Sequence, residues 1–350
     1  MKNTANPYQS RLDDFVNIIR ERKLDAAIVF NQANVRSLTG VDCDNAALVV
    51  EVPEKGREAI RFYTDFRYVP MVHRVAPGLK VVDIKNLKVS GARVGYEPTM
   101  THARFLKLQK KYPKTEFVDI DDAVKALRSV KTASEIEKLR AAEALNSEIW
   151  AEAQAQFKPG MTELQMARII RHLMIEKGEG EAFETIVCVG ANAAECHHVP
   201  DDTVWDGKAP VLVDMGVKLD GYCSDMTRNI VPAKPSKLYA KIYSLVLKAN
   251  MSAIAAAKPG LTCGRLDRVA RKIIEEAGFG KCFGHSLGHG VGIEIHEAPA
   301  ARKADKTVLK PGMLVTIEPG VYLEGNLGVR IEDLVLITED GCEVLSPSPK

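Results

Sequence analysis

Short apolar runs alternate with amphipathic stretches along residues 1 to about 128. The segments RLDDFVNIIRERK and FLKLQKKY have the apolar spacing of helices. Runs rich in β-branched and aromatic residues predict strands, namely LDAAIVF, AALVVEVP, AIRFYTDF, KVVDI, ARVGYE and EFVDI. Because strand-like and helix-like patterns are interspersed, we predict a small α/β domain over residues 1–128.

The pattern changes near VKTASEIEKLR, where a long helix is predicted to begin. Thr132 and Glu135 have the spacing of a capping box, and an amphipathic stretch from Ile136 to Ile149 follows them. We therefore predict a second domain over residues 129–350.

The second domain contains an internal repeat. Residues 158–178 align without a gap on residues 258–278, and eight of the 21 positions are identical. Each segment predicts a Pro-Gly turn, then an amphipathic helix that ends at glycine. This agreement indicates an internal duplication.

Each repeat is followed by a pair of acids in apolar, strand-like segments. Asp214 lies in VLVDMGV and Glu318 in VTIEPGV, and Asp225 and Glu332 follow them by 11 and 14 residues. A buried carboxylate is costly unless a cation compensates it. If the two halves face each other, their four carboxylates meet and can bind two metal ions.

The first pair of acids can be placed by hairpin geometry. The Asp-Gly dipeptide at 220–221 predicts a two-residue turn between antiparallel strands. In that register Asp214 lies opposite Thr227, and Asp225 lies two residues back on the same face. The two acids are then diagonal neighbours, about 7 to 8 Å apart, and repel each other unless a cation lies between them.

His289, in the glycine-rich segment FGHSLGHGVGIEIHEAP, adds an imidazole to the four acids. This oxygen-rich set suits manganese, cobalt, iron or zinc. Two such ions that share a water molecule can hydrolyse a carbonyl compound. A purely structural zinc site is disfavoured because such sites usually use cysteine and histidine.

Composition narrows the class of protein. Lysine and arginine number 48 against 46 acids, so the net charge of +2 gives no reason to expect nucleic-acid binding. The seven scattered cysteines contain no C-x-x-C pair and indicate reduced thiols in the cytoplasm. The polar N-terminus predicts no signal peptide, and no apolar run approaches the ~18 residues of a membrane span.

Three other motif matches fail on their context. Segment 284–288 fits G-x-S-x-G, but a nucleophile elbow needs a strand before it and a helix after it. The glycines of 288–292 lack the Rossmann spacing. His296 begins a zincin-like match, but Ala300 stands where the second histidine is required.

The segments NAAECHHVP, VLVDMGVKLDGYCSDMTR, HSLGHGVGIEIHEAP, TIEPGVY and GVRIED resemble the five-part signature of the pita-bread dinuclear metallopeptidases. The phrases NVRSLTG and YTDFRY resemble the creatinase-like domain of its Xaa-Pro peptidase branch, which includes prolidase and aminopeptidase P. The resemblance implies an α+β protein. Its C-terminal pita-bread domain, with a pseudo-two-fold duplication, follows a smaller α/β creatinase-like domain.

The resemblance also implies a ligand set for two divalent metal ions. Asp214 matches a residue that binds one metal, Asp225 and Glu332 match residues that bridge both, and His289 and Glu318 match ligands of the other. We also expect a homodimer.

Other positions match catalytic groups of the family. His197 and His296 would donate to the scissile carbonyl or to its oxyanion. A metal-bridging hydroxide would attack that carbonyl, and Glu318 would relay its proton toward the leaving nitrogen. Arg330, two residues before Glu332 and so on the same face of the strand, would pair with acids in or beside the site.

The predicted activity is hydrolysis of the bond between an N-terminal residue and proline. Dipeptides and longer peptides both remain open as substrates, as do an aminopeptidase of other specificity, for example for methionine, and a non-catalytic peptide-binding scaffold. Many prolidase-like relatives place arginine where this chain has Ala300, and Cys196 replaces a common proline. For His198, a supporting role and a functional one are both open.

Overall fold

The computed structural model of this protein describes residues 8–53 and 57–350. The chain divides into two compact units, Met1–Arg128 and Ser129–Lys350. The prediction that no signal peptide is present rests on the polar N-terminus. Residues 1–7 of that segment lie outside the described residues. Across the described ranges, no helix combines the length and the apolar character that crossing a bilayer requires.

A mixed sheet of six strands forms the centre of the described part of the first unit. Its strands are β1 (Ala26–Val29), β2 (Ala46–Glu51), β3 (Ala59–Thr64), β4 (Lys80–Asp83), β5 (Arg93–Tyr96) and β6 (Glu116–Asp119). They lie in the order β4-β3-β2-β1-β5-β6, and β1, β2 and β3 pair antiparallel. Each coincides with a predicted strand, so those predictions are confirmed.

Helices cover both faces of this sheet. They are α1 (Gln9–Glu21), α2 (Gln32–Thr39), α3 (Val69–Val75), α4 (His102–Lys111) and α5 (Asp121–Ser129). Ala27 and Val29 of β1 pack into the core shared with α1, whereas Ala26 and Ile28 pack into the core shared with α4. Because both faces are buried, β1 is apolar throughout.

The second unit contains two helix pairs, one in each half. Their members are α6 (Ala133–Gln156), α7 (Glu163–Lys177), α8 (Lys237–Ala256) and α9 (Cys263–Glu276). The predicted capping box of Thr132 and Glu135 begins α6. Thr162 and Thr262 cap α7 and α9, as expected for duplicated helices.

Short antiparallel strands complete the second unit. They are β7 (Ile186–Val189), β8 (Val211–Met215), β9 (Lys218–Leu219), β10 (Tyr222–Cys223), β11 (Met226–Ile230), β12 (Gly288–Gly290), β13 (Glu297–Ala301), β14 (Leu314–Ile317), β15 (Gly320–Leu323), β16 (Leu327–Arg330), β17 (Asp333–Ile337) and β18 (Cys342–Val344). The orders β11-β8-β7 and β14-β17-β18 give each half a three-stranded sheet.

The two halves repeat their backbone contacts as well as their sequence. Thr162 forms a bridge with Val204, and the equivalent Thr262 forms one with Val308. The next amide in each half, that of Glu163 or Cys263, donates to a threonine carbonyl at 3.1 or 2.9 Å. The duplicated helices are therefore attached to the chain that follows them in the same way.

The hairpin prediction is confirmed. Asp220 and Gly221 both have positive φ, 48° and 68°, as a tight turn between twisted strands requires. The same register continues into the flanking strands, where Asp214 on β8 pairs with Thr227 on β11. The turn therefore sets which residue faces the first acid.

Candidate metal centre

A cavity of about 520 Å³ opens in the second unit, and it contains all the side chains that the sequence selected. It is lined by Phe183, Glu184, Thr185, Ile186, Cys196, His197, His198, Val199, Pro200, Asp214, Asp225, His285, Ser286, His289, Ile295, His296, Glu318, Arg330 and Glu332. Both halves of the duplication contribute.

Equivalent strands of the two halves bring the four acids to this cavity. Asp214 lies on β8, and Glu318 directly follows β14. Asp225 and Glu332 directly precede β11 and β17, the partner strands. Asp214 is thus paired within the ladder of β8, whereas the other three acids lie directly beside a strand end, and all four line the cavity.

The acids and the imidazole are close enough to share a cation. Asp225, His289 and Glu332 each offer one ligand atom, and these three atoms lie within 4.8 Å of one another. His289 Nε2 is 3.5 Å from Asp225 Oδ2 and 3.5 Å from Glu318 Oε1. The structure thus brings both halves together around the ring of His289.

The tautomer of His289 supports metal binding. Its Nδ1 is 3.1 Å from the carbonyl oxygen of Gly290, so Nδ1 donates there. Burial lowers the pKa of His289 to about 4, which keeps the ring neutral. The lone pair of Nε2 then faces two carboxylates, an arrangement that repels itself until a cation lies between them.

The acids crowd one another strongly. Burial, followed by the charges of Glu332 and Asp214, raises the pKa of Asp225 well above its ordinary value. Burial and the neighbouring acids raise the pKa of Glu332 in the same way. Burial raises the pKa of Glu318 to about 8. Ionised together, these groups need a positive partner.

Asp214 provides a further indication. Its Oδ2 accepts a hydrogen bond from Arg330 Nη2 at 2.7 Å. Within the described ranges, no donor reaches its other oxygen, Oδ1, which is buried. A buried carboxylate oxygen without a donor is costly, and a metal ion satisfies it. The residues present therefore fit a divalent cation.

Arg330 is held by several hydrogen bonds. Besides Asp214, it donates to the Thr227 hydroxyl at 3.0 Å and to the Tyr322 hydroxyl at 3.0 Å. The predicted pairing with an acid of the site is confirmed. The prediction of one continuous strand is wrong, because Arg330 ends β16 and Glu332 precedes β17. The chain breaks between them, so their shared cavity results from tertiary packing.

The other histidines of the cavity occupy different parts of its wall. His197 is exposed at the cavity, on the segment after the 3₁₀ helix Gly190–Ala194. The ring of His296 lies edge-on to that of His289, with centroids 4.4 Å apart. His285 Nε2 lies 2.8 Å from the Tyr322 hydroxyl and so supports the Arg330 network indirectly.

Two residues near the site were missed by the sequence prediction. Glu143 of α6 is buried and accepts a hydrogen bond from the Asp225 amide at 3.1 Å, and Tyr322 contacts both His285 and Arg330. A signal for Glu143 was present, because it follows Leu139 by four positions on the buried face of its helix. Tyr322 gave no such signal, since its partners are distant in sequence.

Among the described residues that line the cavity, none replaces the arginine that the family pattern places at Ala300. Arg302, two residues beyond Ala300, has a side chain that is 69% exposed and pairs with Asp305 at 3.6 Å. It is not among the residues that line the cavity. Of the cavity-lining residues that the structure describes, Arg330 supplies the guanidinium. Its three nitrogens already donate to Thr227, Tyr322 and Asp214.

Comparisons with known proteins cover both units. Residues 137–339 match metallopeptidase family M24, and residues 11–130 match the creatinase/prolidase N-terminal domain. The chain is 35% identical over 347 residues to the Xaa-Pro dipeptidase of Pyrococcus furiosus. This alignment covers 98% of this chain and 99% of that protein.

Solved structures agree with these matches. The prolidase from Pyrococcus horikoshii superimposes with a TM-score of 0.91 at 31% identity, covering 97% of this chain and 99% of that one. The X-Pro aminopeptidase from Thermotoga maritima gives a TM-score of 0.83 at 32% identity, with 94% and 97% covered. The likeness extends over nearly the whole chain.

Proposed function

This chain belongs to metallopeptidase family M24, and from that premise we propose that it hydrolyses the bond between an N-terminal residue and a following proline. The resemblance predicted from the sequence is confirmed by that membership. We further propose dipeptides as the main substrates, because the relative that is 35% identical over nearly the full length is named an Xaa-Pro dipeptidase.

One observation supports this function above the others. Carboxylates from both halves of the duplication surround a neutral imidazole whose lone pair faces them, at the wall of a cavity of about 520 Å³. Membership of the family implies divalent metal ions. We propose two, manganese, cobalt, zinc or iron, held by Asp214, Asp225, His289, Glu318 and Glu332.

A divalent ion held there would lower the pKa of water and stabilise negative charge on oxygen. Side chains of the protein supply the hydrogen bonds, the proton transfer and the positioning. His197 and His296 donate hydrogen bonds to the scissile carbonyl as its oxygen becomes negative. Glu318 carries a proton toward the leaving prolyl nitrogen. Arg330 holds Asp214 in place through the contact at 2.7 Å.

We also propose a cytoplasmic location and a homodimer. All seven cysteines are free thiols in this fold, which supports a reducing compartment. Analytical ultracentrifugation of the purified protein measures the oligomeric state directly, and a monomer would refute the homodimer.

The substrate assay uses metal-stripped protein resupplied with manganese, cobalt or zinc and offered Ala-Pro, Ala-Pro-Ala and Met-Ala-Ser. We expect Ala-Pro to be cleaved fastest. Preference for Ala-Pro-Ala would instead support an X-Pro aminopeptidase, as the likeness to the Thermotoga maritima structure suggests. Cleavage of Met-Ala-Ser alone would overturn the specificity for proline.

The metal assignment is tested with Asp225→Asn. Because this change removes a central carboxylate, we expect bound metal to fall and kcat/KM to drop about 10³-fold, the equivalent of several kcal/mol. Asp202→Asn, at an exposed acid of the same half, is the matched control and should match the wild type. Wild-type activity and metal content in Asp225→Asn would refute its role as a ligand.

A further inference from the structure

A buried acid at the start of α7 connects that helix to the cavity wall. Glu163 is 0% exposed. Its carboxylate accepts hydrogen bonds from the amide of Val189 at 2.5 Å, the side chain of Asn192 at 2.9 Å and the amide of Asp201 at 3.1 Å. His198 Nε2 lies 2.7 Å from it and supplies the fourth donor, since an ionised carboxylate has only acceptors.

The four donors lie at both ends of one segment, residues 189–201. Between them this segment carries His197 to the wall of the cavity. The side chain of His197 is exposed there, so the position from which it reaches into the cavity depends on the backbone that carries it. The amide of His198 donates to the backbone carbonyl of Glu195 at 3.1 Å and closes a tight turn around His197.

We infer that Glu163 is a positioning residue for catalysis. With His198 it fixes segment 189–201 and so determines where the imidazole of His197 faces the substrate. This inference rests on the proposed function for the role of His197, whereas the fixing of the segment does not depend on it.

The chemistry of the site explains why an acid is required. A carboxylate buried without compensation is costly, but four donors satisfy both of its oxygens. Glutamine keeps the shape of Glu163 but replaces one oxygen by an NH₂ group, which then faces other donors. The segment must move to relieve that conflict, and His197 moves with it.

In the second half of the duplication, a different buried acid holds a loop that lines the cavity. On α9, Asp267 pairs with Arg271 at 2.7 Å and accepts from the amide of Leu287 at 3.2 Å. Arg271 also donates to the carbonyl of His285 at 2.8 Å. Each half thus uses a buried acid on its second helix to hold a cavity-lining loop.

These two acids do not occupy equivalent places in the repeat. Cys263 stands at the position that corresponds to Glu163, and Ala167 at the position that corresponds to Asp267. Since the residue type is not shared, inheritance from one ancestral half does not explain both contacts. What the contacts of Glu163 and Asp267 share is their effect, because each holds a loop that lines the cavity.

Ligand atoms of Glu163, His198 and Asp201 are also close enough together to hold a metal ion. The hydrogen bonds already described occupy both oxygens of Glu163, which favours the positioning role. The experiments below therefore distinguish metal binding by Glu163, His198 and Asp201 from the positioning role of Glu163.

The first test measures kcat and KM for Ala-Pro with Glu163→Gln, His198→Ala and His198→Gln. We expect Glu163→Gln to lower kcat by about 100-fold, the effect of displacing a catalytic group by roughly 1 Å, with a much smaller change in KM. His198→Gln can still donate to Glu163 and should recover most of the activity that His198→Ala loses. Equal losses in the two His198 variants would contradict the inference.

A double-mutant cycle identifies the residue through which Glu163 acts. In a His197→Ala background, Glu163→Gln should cause little further loss, because its effect passes through His197. In a His296→Ala background, on the other half, its effect should be undiminished. Equal effects in both backgrounds would show a general structural role and overturn the inference.

A final readout is independent of activity. Hydrogen–deuterium exchange of metal-free protein should be faster across residues 189–201 in Glu163→Gln and unchanged in β12. If the wild type cleaves none of the peptides, the proposed function fails while this measurement still tests the segment. Unchanged exchange, or loss of a bound metal ion from Glu163→Gln in elemental analysis, would overturn the positioning role.

Discussion

At the scale of single residues, the candidate metal centre depends on donors that lie outside the ligand set. The guanidinium of Arg330 bonds to Thr227, Tyr322 and Asp214 at once. Thr227 in turn donates to Glu332 at 2.7 Å. One arginine therefore orients an acid from each half of the duplication, and its planar, forked shape is what makes this possible.

Replacing Arg330 with lysine should preserve the charge and lose this geometry. A single ammonium group cannot bond to all three partners at these positions, so we expect kcat/KM or metal affinity to fall about 10- to 100-fold. Steady-state kinetics with metal titration measures the change. Arg302→Lys, at an exposed arginine outside the cavity, is the control and should match the wild type.

At the scale of secondary-structure elements, the site depends on close backbone contacts between strands. The position of β12 beside β14 brings His289 toward Glu318. The amide of His289 donates to the Thr316 hydroxyl at 3.1 Å. At Gly288, a Cβ atom would lie 1.9 Å from the backbone oxygen of Thr316, so only glycine permits this approach.

Gly288→Ala should therefore separate β12 from β14. We expect a loss of about 1 to 3 kcal/mol in stability, the usual cost of overpacking, together with weaker metal binding as His289 is displaced. Thermal unfolding and metal titration measure these effects. Gly284→Ala is the matched control, because nothing lies within 4 Å of the added carbon. Similar losses in both variants would contradict the proposed cause.

At the scale of the whole molecule, the two compact units differ in what stabilises them. The first unit buries apolar residues on both faces of its sheet. The second unit also has apolar cores, but places mutually repelling acids beside them. Metal binding should therefore stabilise the second unit selectively, since a ligand stabilises the part of a fold that forms its site.

Hydrogen–deuterium exchange with and without added manganese tests this difference. We expect manganese at 100 times its dissociation constant to stabilise the protein by about 2.7 kcal/mol for each ion bound and to slow exchange in β8, β11, β14 and β17. Exchange in β1 to β6 should not change. Asp225→Asn should abolish the response. An equal response in both units would refute selective stabilisation by a metal in the cavity.

Local features were determined by the sequence itself. The Asp-Gly turn fixed the pairing of Asp214 with Thr227, and the capping box at Thr132 fixed the start of α6. The repeat at 158–178 and 258–278 indicated two similar halves, and the family resemblance indicated the ligand set. These inferences succeed because turn conformations, capping hydrogen bonds and repeated segments depend on residues near one another in the chain.

Contacts between groups that are distant in the chain became apparent only in the folded structure. His289 approaches Asp225 and Glu318 from separate strands, and Glu163 reaches His198 across 35 residues. The break between Arg330 and Glu332 also became visible only in the fold. Such contacts result from how the halves pack, and buried hydrogen-bond partners that are distant in sequence leave no periodic pattern from which spacing could predict them.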